Sequence, residues 1–346
     1  MSQNNLPGKL SLFPATTQVR QNHLYIGGCD TVELAKKYGT PLYVFDEFTL
    51  RSKCQEFTHE FTKRYQNTVI AYASKAFLNR AWALILKEEG LGLDVVSDGE
   101  LSIAHSVKFP LGKVYFHGNN KTPDEIKLAL KLRIGRFIVD NFHEIELLNK
   151  LAGELKVKQN VLLRLNPGID AHTHRHTTTG ILDSKFGFPV ATGQAETAVA
   201  QATSAYNLNL VGFHFHLGSP IHETSPYEMA IELVLRFAKE MEHKYAFNLS
   251  EFSPGGGFAV RYVVNALTLT VAEYAESITS AVKNMTNKLS LSQPTLIVEP
   301  GRAIVAPSAV ALYTVGAIKD IPGIRKYVCV DGGIGDNIRP ALYDAK

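Results

Sequence analysis

One lysine stands at the end of the apolar run in "AYASKAF" (residues 71–77), with Val69 to Ala73 before it and small residues on either side of Lys75. An amine among Ala, Ser, Phe and Tyr is expected to be partly desolvated, which lowers its pKa and frees it to form a Schiff base with a carbonyl. Further on, "SPGGGF" sets Gly255, Gly256 and Gly257 in a row. Consecutive glycines let backbone N–H groups close around an anion such as a phosphate. "VEPGR" supplies Glu299 and Arg302, and "HFH" places His214 and His216 two apart. Each feature also has an ordinary structural reading: a solvated lysine, a flexible loop, a carboxylate paired with Arg302, a hydrogen-bonded core histidine. An amine, an anion cradle, a carboxylate and an imidazole are harder to explain away together.

The elements that would position these residues alternate along the chain. Strand-like runs are "VIAYAS", "LDVVS", "KVYFH", "RFIVD", "NVLLRLN", "LVGFHFH", "LSEFSPGG" and "TLIVEP", and most of the gaps carry helical patterns such as "TPDEIKLALKL" and "SPYEMAIELVLRFAKEMEHK". Eight such repeats fit an α/β chain folded as a (β/α)8 barrel, although a doubly wound open sheet gives a similar alternation. The polar residues favour the barrel. Lys75, Asp94, His117, Asp140, Arg164, Asn166, His214, His216, the glycine run and Glu299 all fall at or just past strand ends, where barrel enzymes keep their active sites. The pattern predicts a barrel over residues 47–302. A β-strand domain is expected from both chain ends, with residues 1–46 contributing "PLYVFD" and residues 303–346 contributing long strands without helices. That domain looks incomplete, with an exposed edge.

In such a barrel the loops after strands seven and eight are the usual phosphate site, which is where the glycine run falls. Ser219 in "HLGSP" can add a hydroxyl. A lysine amine beside a phosphate cradle points to pyridoxal 5'-phosphate, which asks in addition for a partner to its pyridine nitrogen and packing for its ring. Glu299 can supply the first and His216 the second.

Bulk properties narrow the classes further. The 346 residues carry a formal charge of only +3, with no basic stripe of the kind nucleic-acid binders use. Three cysteines, Cys29, Cys54 and Cys329, are scattered rather than paired, which fits a reducing compartment. No run approaches a membrane span, and "MSQNNLPGKLSLFPATTQ" has no targeting pattern. A cytoplasmic protein is expected.

The stretches "AYASKAF", "GLDVVSDGEL", "RLNPGIDAHTH", "TGILDSKFGF", "GFHFHLGSP", "GGGF", "VEPGR" and "DGGIGDNIRPALY" together, and in this order, resemble the diaminopimelate decarboxylases. These belong to the alanine-racemase-like group of pyridoxal phosphate enzymes, which also holds the eukaryotic-type ornithine decarboxylases. The resemblance implies decarboxylation of meso-2,6-diaminopimelate to L-lysine and carbon dioxide by a homodimer with shared active sites. It implies that Lys75 carries the cofactor, His216 stacks on its ring and Glu299 meets the pyridine nitrogen, with Asp94 and, less firmly, Arg164 and Lys185 nearby. Ser219, Gly256, Gly257, Gly301 and Arg302 would hold the phosphate. Arg302, Arg339 and Tyr343 would bind substrate carboxylates, for which a guanidinium offers a planar fork.

Two positions depart from the family pattern, Phe77 for asparagine and Asp98 for glycine, and family members continue past "RPALY" through a Cys-Glu-Ser motif to a later tyrosine. A truncated barrel that binds the cofactor with impaired turnover is therefore one alternative, and a relative acting on ornithine, arginine or carboxynorspermidine is another. A metal enzyme built on "HTHRH" (172–176) and "HFH" (214–216) is the rival from a different class; no metal is expected.

Overall fold

The structure, a computed structural model, describes residues 8, 10–171 and 179–343. Eight parallel strands form a ring: β1 (Thr68–Ala73), β2 (Gly92–Val95), β3 (Val114–Phe116), β4 (Arg136–Val139), β5 (Gln159–Asn166), β6 (Leu208–His214), β7 (Glu251–Gly255) and β8 (Thr295–Val298). Each pairs with its successor, and β8 pairs back onto β1. That closure decides between the two architectures left by the sequence: a doubly wound sheet keeps two edges, and this ring has none.

Register brings the chemically interesting positions to one end of the ring. Ala73 pairs with Asp94, and His214 with both Arg164 and Ser253. Beneath that level, Ala71, Tyr115, Ile138, Leu162 and Ile297 form a buried layer. Lower still, Arg136 closes onto Glu251 across the ring, Nη2 to Oε1 2.5 Å apart, and lies over the Tyr115 ring.

The outer helices follow from local signals. The helix Pro123–Lys131 starts with a reciprocal cap between Thr122 and Glu125, has proline in its first turn, and buries Ile126, Ala129 and Leu130 at the spacing of one helical face. The helix Val271–Leu289 repeats the device with Thr270 and Glu273.

A second compact unit comprises residues 1–53, 260–268 and 304–346, the barrel unit comprising 54–259 and 269–303. The second unit draws on both chain ends: Leu42–Phe45 pairs antiparallel with Ala309–Leu312, and two further antiparallel sheets are formed by Gln18–Asp30 and by the hairpin Val315–Val330. Residues 47–53 and 260–268, expected within the barrel, group with this unit. Unbroken strands are expected after residue 302, but Arg302–Val305 is a short helix continued by a 3-10 turn through Ala306–Ser308. The β-branched Ile304 and Val305 read as strand, whereas Pro307 lacks the N–H that a ladder needs, and Ser308 Oγ donates back to Ile304 O at 2.8 Å. Among the described residues no helix is long and apolar enough to cross a membrane.

Candidate active site

The site forms at the carboxyl ends of the barrel strands, around Glu299. This carboxylate follows β8, is buried, and accepts hydrogen bonds from Ser253 Oγ at 2.8 Å and from His214 Nε2 at 3.1 Å. His117, just past β3, places Nε2 3.6 Å from Glu299 Oε1 and also 3.6 Å from Asp94 Oδ1. Its ring meets that of His214 edge to face, with centroids 4.9 Å apart.

Burial governs the protonation of this group. It holds His117 well below the usual imidazole range, and it lowers His214 as well, so both rings are neutral at physiological pH. Burial alone would raise Glu299, yet its carboxyl stays well below the ordinary range. The electrostatic pull of His214 and His117 lowers it, and hydrogen-bond donation from His214 and Ser253 adds to that. Asp94 Oδ1 has no such donor among the described residues; burial pushes the carboxyl up to about 8 against the pull of Lys75.

Lys75 lies in the 3-10 turn Ser74–Ala76 that follows β1. Tyr72 Oη donates to Phe77 O at 2.9 Å across that turn, and Ala73 N–H donates to Pro300 O at 3.1 Å, tying the turn to the loop after β8. Lys75 itself is exposed, so the desolvation expected from its sequence neighbours is not found. The turn carries the lysine beyond the strand end, past the buried Ala71, Tyr72 and Ala73.

The glycine run is held backbone to backbone. A Cβ at Gly256 would come within 2.0 Å of Glu299 O, and one at Gly257, where φ is +103°, within 2.3 Å of Gly218 O. Only glycine allows the loops after β6, β7 and β8 to meet this closely. The carbonyl of Gly256 accepts from Tyr227 Oη at 2.7 Å and that of Gly257 from Ile221 N at 2.8 Å. Across a trans peptide the N–H points opposite to the C=O, so these bonds turn the amides of residues 257 and 258 to the other side. The Gly256 N–H is aimed at His216 Nδ1, 3.3 Å away, which requires that nitrogen to be unprotonated. Burial agrees, holding His216 well below the imidazole range.

Arg164, on β5, is nearly buried; it lies 3.7 Å from Asp140 and over the Phe186 ring, which Lys185 flanks from the exposed side. Asp140 also accepts from the Gly187 N–H. Ser219 precedes a cis Pro220 in the loop after β6, and Gly301 packs against Ala73 and Ala76. The barrel thus gathers Lys75, Asp94, Arg164, His216, Ser219, Gly256, Gly257, Glu299, Gly301 and Arg302 at the carboxyl ends of its strands and on the segments that follow them. Arg339 and Tyr343 bound a short helix in the other unit, where Arg339 lies over the Tyr262 ring, 4.2 Å from its centroid.

Three contributors carry no role in the sequence reading: His117, Ser253 and Asp140. His117 and Asp140 are visible there as strand-end polar residues; Ser253 lies inside "SPGGGF", where the glycines dominate. Of the suspected metal pair, His214 turns to Glu299 and His216 to the glycine loop, so the two do not share one ligand set. The ligand atoms of His117, His214 and Glu299 do lie within 4.8 Å of one another. "HTHRH" falls outside the described residues.

Pyridoxal phosphate fits what is present. Asp94 Oδ1, His117 Nε2, His214 Nδ1 and Ser74 Oγ are buried without a hydrogen-bond partner among the described residues, so polar capacity remains around Glu299 for a ring with a protonated nitrogen. The glycine loops beside it pack backbone to backbone with no room for a Cβ and turn the amides of residues 257 and 258 away from Tyr227 and Ile221, as donors for an anion.

Comparison with known proteins agrees. The family of pyridoxal-dependent decarboxylases, pyridoxal binding domain, matches residues 49–306. A diaminopimelate decarboxylase of Bacillus subtilis (strain 168) is 44% identical over 335 residues, covering 97% of this chain and 76% of its own. The chain belongs to the diaminopimelate decarboxylase family. Within this family the Bacillus methanolicus protein is likewise 44% identical, with 96% of this chain and 78% of its own covered. The crystal structure of diaminopimelate decarboxylase from M. jannaschii in co-complex with L-lysine superposes with a TM-score of 0.89 at 35% identity, covering 96% of this chain and 76% of that one. Membership makes this chain a pyridoxal phosphate-dependent decarboxylase.

Proposed function

We propose that the chain removes carbon dioxide from meso-2,6-diaminopimelate to leave L-lysine, using pyridoxal phosphate held at the barrel mouth. The observation that carries the placement is the buried, ionised Glu299 beside the glycine cradle. A carboxylate kept charged by two donors, adjoining an anion site, suits a phosphorylated ring whose nitrogen must stay protonated. The substrate follows from the family, and the L-lysine complex of the M. jannaschii relative supports it.

In this reading Lys75 holds the cofactor aldehyde; its exposed position past β1 leaves the amine free to reach it. His216, oriented by the Gly256 N–H, would pack against the cofactor ring. Glu299 accepts the pyridine N–H and holds that proton in place. When bound, pyridoxal phosphate supplies an electron sink for the pair left when the carbon–carboxylate bond breaks. The amides turned by Tyr227 and Ile221, with Ser219, Gly301 and Arg302, hold the phosphate. Arg164 and Asp94 flank the site. Arg302, Arg339 and Tyr343 bind the substrate carboxylates and fix which one is lost.

A cytoplasmic homodimer that does not bind nucleic acid completes the proposal. The test is carbon dioxide release from meso-diaminopimelate measured beside ornithine, arginine and carboxynorspermidine at equal concentration. Release from meso-diaminopimelate alone, with equimolar L-lysine, is expected. Preference for any of the others would overturn the substrate assignment.

A further inference from the structure

The loop after β3 holds a side chain for which the proposed roles have no use. His117 is 5% exposed, and its backbone N–H is pinned to Val95 O at 2.8 Å. Its Nε2 and Asp94 Oδ1 both lack a hydrogen-bond partner among the described residues. That nitrogen stands at the same distance, 3.6 Å, from Asp94 and from Glu299. A shift of a few tenths of an ångström would bring it within bonding reach of either carboxylate.

A neutral imidazole has one N–H and one acceptor nitrogen, so Nε2 can donate to one carboxylate or accept from the other, but not both. Two carboxyl groups buried this close cannot both ionise cheaply. Glu299 already has donors in Ser253 and His214, whereas Asp94 Oδ1 has no partner among the described residues. The arrangement in which Asp94 keeps a proton and presents it to Nε2, leaving Glu299 charged, pairs both atoms and avoids two neighbouring buried charges. Among the described residues, the other charged or titratable groups acting on His117 are Lys75 from the turn after β1, Arg164 from β5 and His214 from β6. Lys121, on the same loop, is engaged by Glu144 and by the carbonyls of Gly118 and Ile138.

We infer that His117 is a positioning residue that apportions protons between Asp94 and Glu299, and so sets how firmly Glu299 holds a proton on the pyridine nitrogen of bound cofactor. The inference rests on the placement of pyridoxal phosphate against Glu299 proposed above.

The test uses holoenzyme with His117→Phe, which keeps a flat ring without nitrogen, and His117→Gln, which keeps a donor and an acceptor. The absorbance of bound pyridoxal phosphate is titrated with pH, and kcat and KM are measured for each. His117→Phe is expected to move the spectral midpoint by about one pH unit or more and to lower kcat about tenfold with KM changed less than about threefold. His117→Gln should fall between it and wild type. Equal midpoints in all three proteins would overturn the inference, as would equal losses in the two variants, which would mark a packing role. If His117→Phe does not fold, His117→Gln decides alone, an unmoved midpoint counting against the inference. Glu299→Gln is the control for the placement: if it leaves the cofactor spectrum and its titration unchanged, the cofactor does not meet Glu299, and the placement itself fails.

Discussion

Replacing Asp94 by asparagine should change how stability depends on pH, by an amount that the burial of the carboxyl sets. The group is pushed up to about 8 in the folded chain from an ordinary value of 3.8. A raised folded pKa means that the contribution is full below the unfolded value and is lost as pH climbs through the folded one. Between pH 6 and pH 8 the unfolded aspartate is ionised throughout, while the folded one passes from protonated to half ionised. Integrating the proton difference over that interval gives a loss of about 2 kcal/mol. An asparagine side chain cannot ionise, so Asp94→Asn should gain about 2 kcal/mol relative to wild type on going from pH 6 to pH 8. His117, His214 and His216 have the opposite sign, since their folded pKa values are lowered. They are present in both proteins and act mainly below pH 6.5, near the imidazole reference. Urea unfolding of cofactor-free protein, followed by circular dichroism at both pH values, gives the difference directly. A wild-type minus variant difference that changes by less than about 0.5 kcal/mol would refute the claim that Asp94 is neutral in the fold.

Gly256→Ala would set a methyl group 2.0 Å from Glu299 O, and overpacking of this kind costs about 1–3 kcal/mol. Equilibrium titration with pyridoxal phosphate should show its dissociation constant raised about tenfold or more; affinity equal to wild type would count against the cradle. Lys121→Met leaves Glu144 buried without the cation that stands 2.6 Å from it, at a cost of about 3–5 kcal/mol. Thermal unfolding should show the drop, and Lys121→Met with Glu144→Leu should recover more than half of it.

All eight barrel strands can be read from the sequence, because each is a short apolar run and most are followed by a helical pattern. Closure cannot, since the pairing of β8 with β1 joins the two ends of the barrel segment. Lys75, the glycine run and Glu299 are legible as residue types with chemistry attached, and their arrival at one mouth follows from their strand-end positions. Their immediate surroundings are not. Ser253 reaches Glu299 through the register of neighbouring strands, and His117 becomes interesting only when two carboxylates from β2 and β8 flank it. The exposure of Lys75 is hidden for a related reason. The run before it is buried through Ser74, but the 3-10 turn brings Lys75 and Ala76 out to solvent. Likewise the short helix after Glu299 is masked by β-branched residues, with Pro307 the one contrary sign.

The central claim is that Lys75 holds pyridoxal phosphate for the decarboxylation of meso-diaminopimelate, and one measurement addresses it most directly. Purified wild type and Lys75→Ala are each mixed with pyridoxal phosphate, their visible absorbance recorded, and L-lysine assayed after addition of meso-diaminopimelate. The prediction is a visible band in wild type that is absent from Lys75→Ala, with L-lysine formed only by the former. The same band in both proteins, or L-lysine formed equally by both, would contradict it.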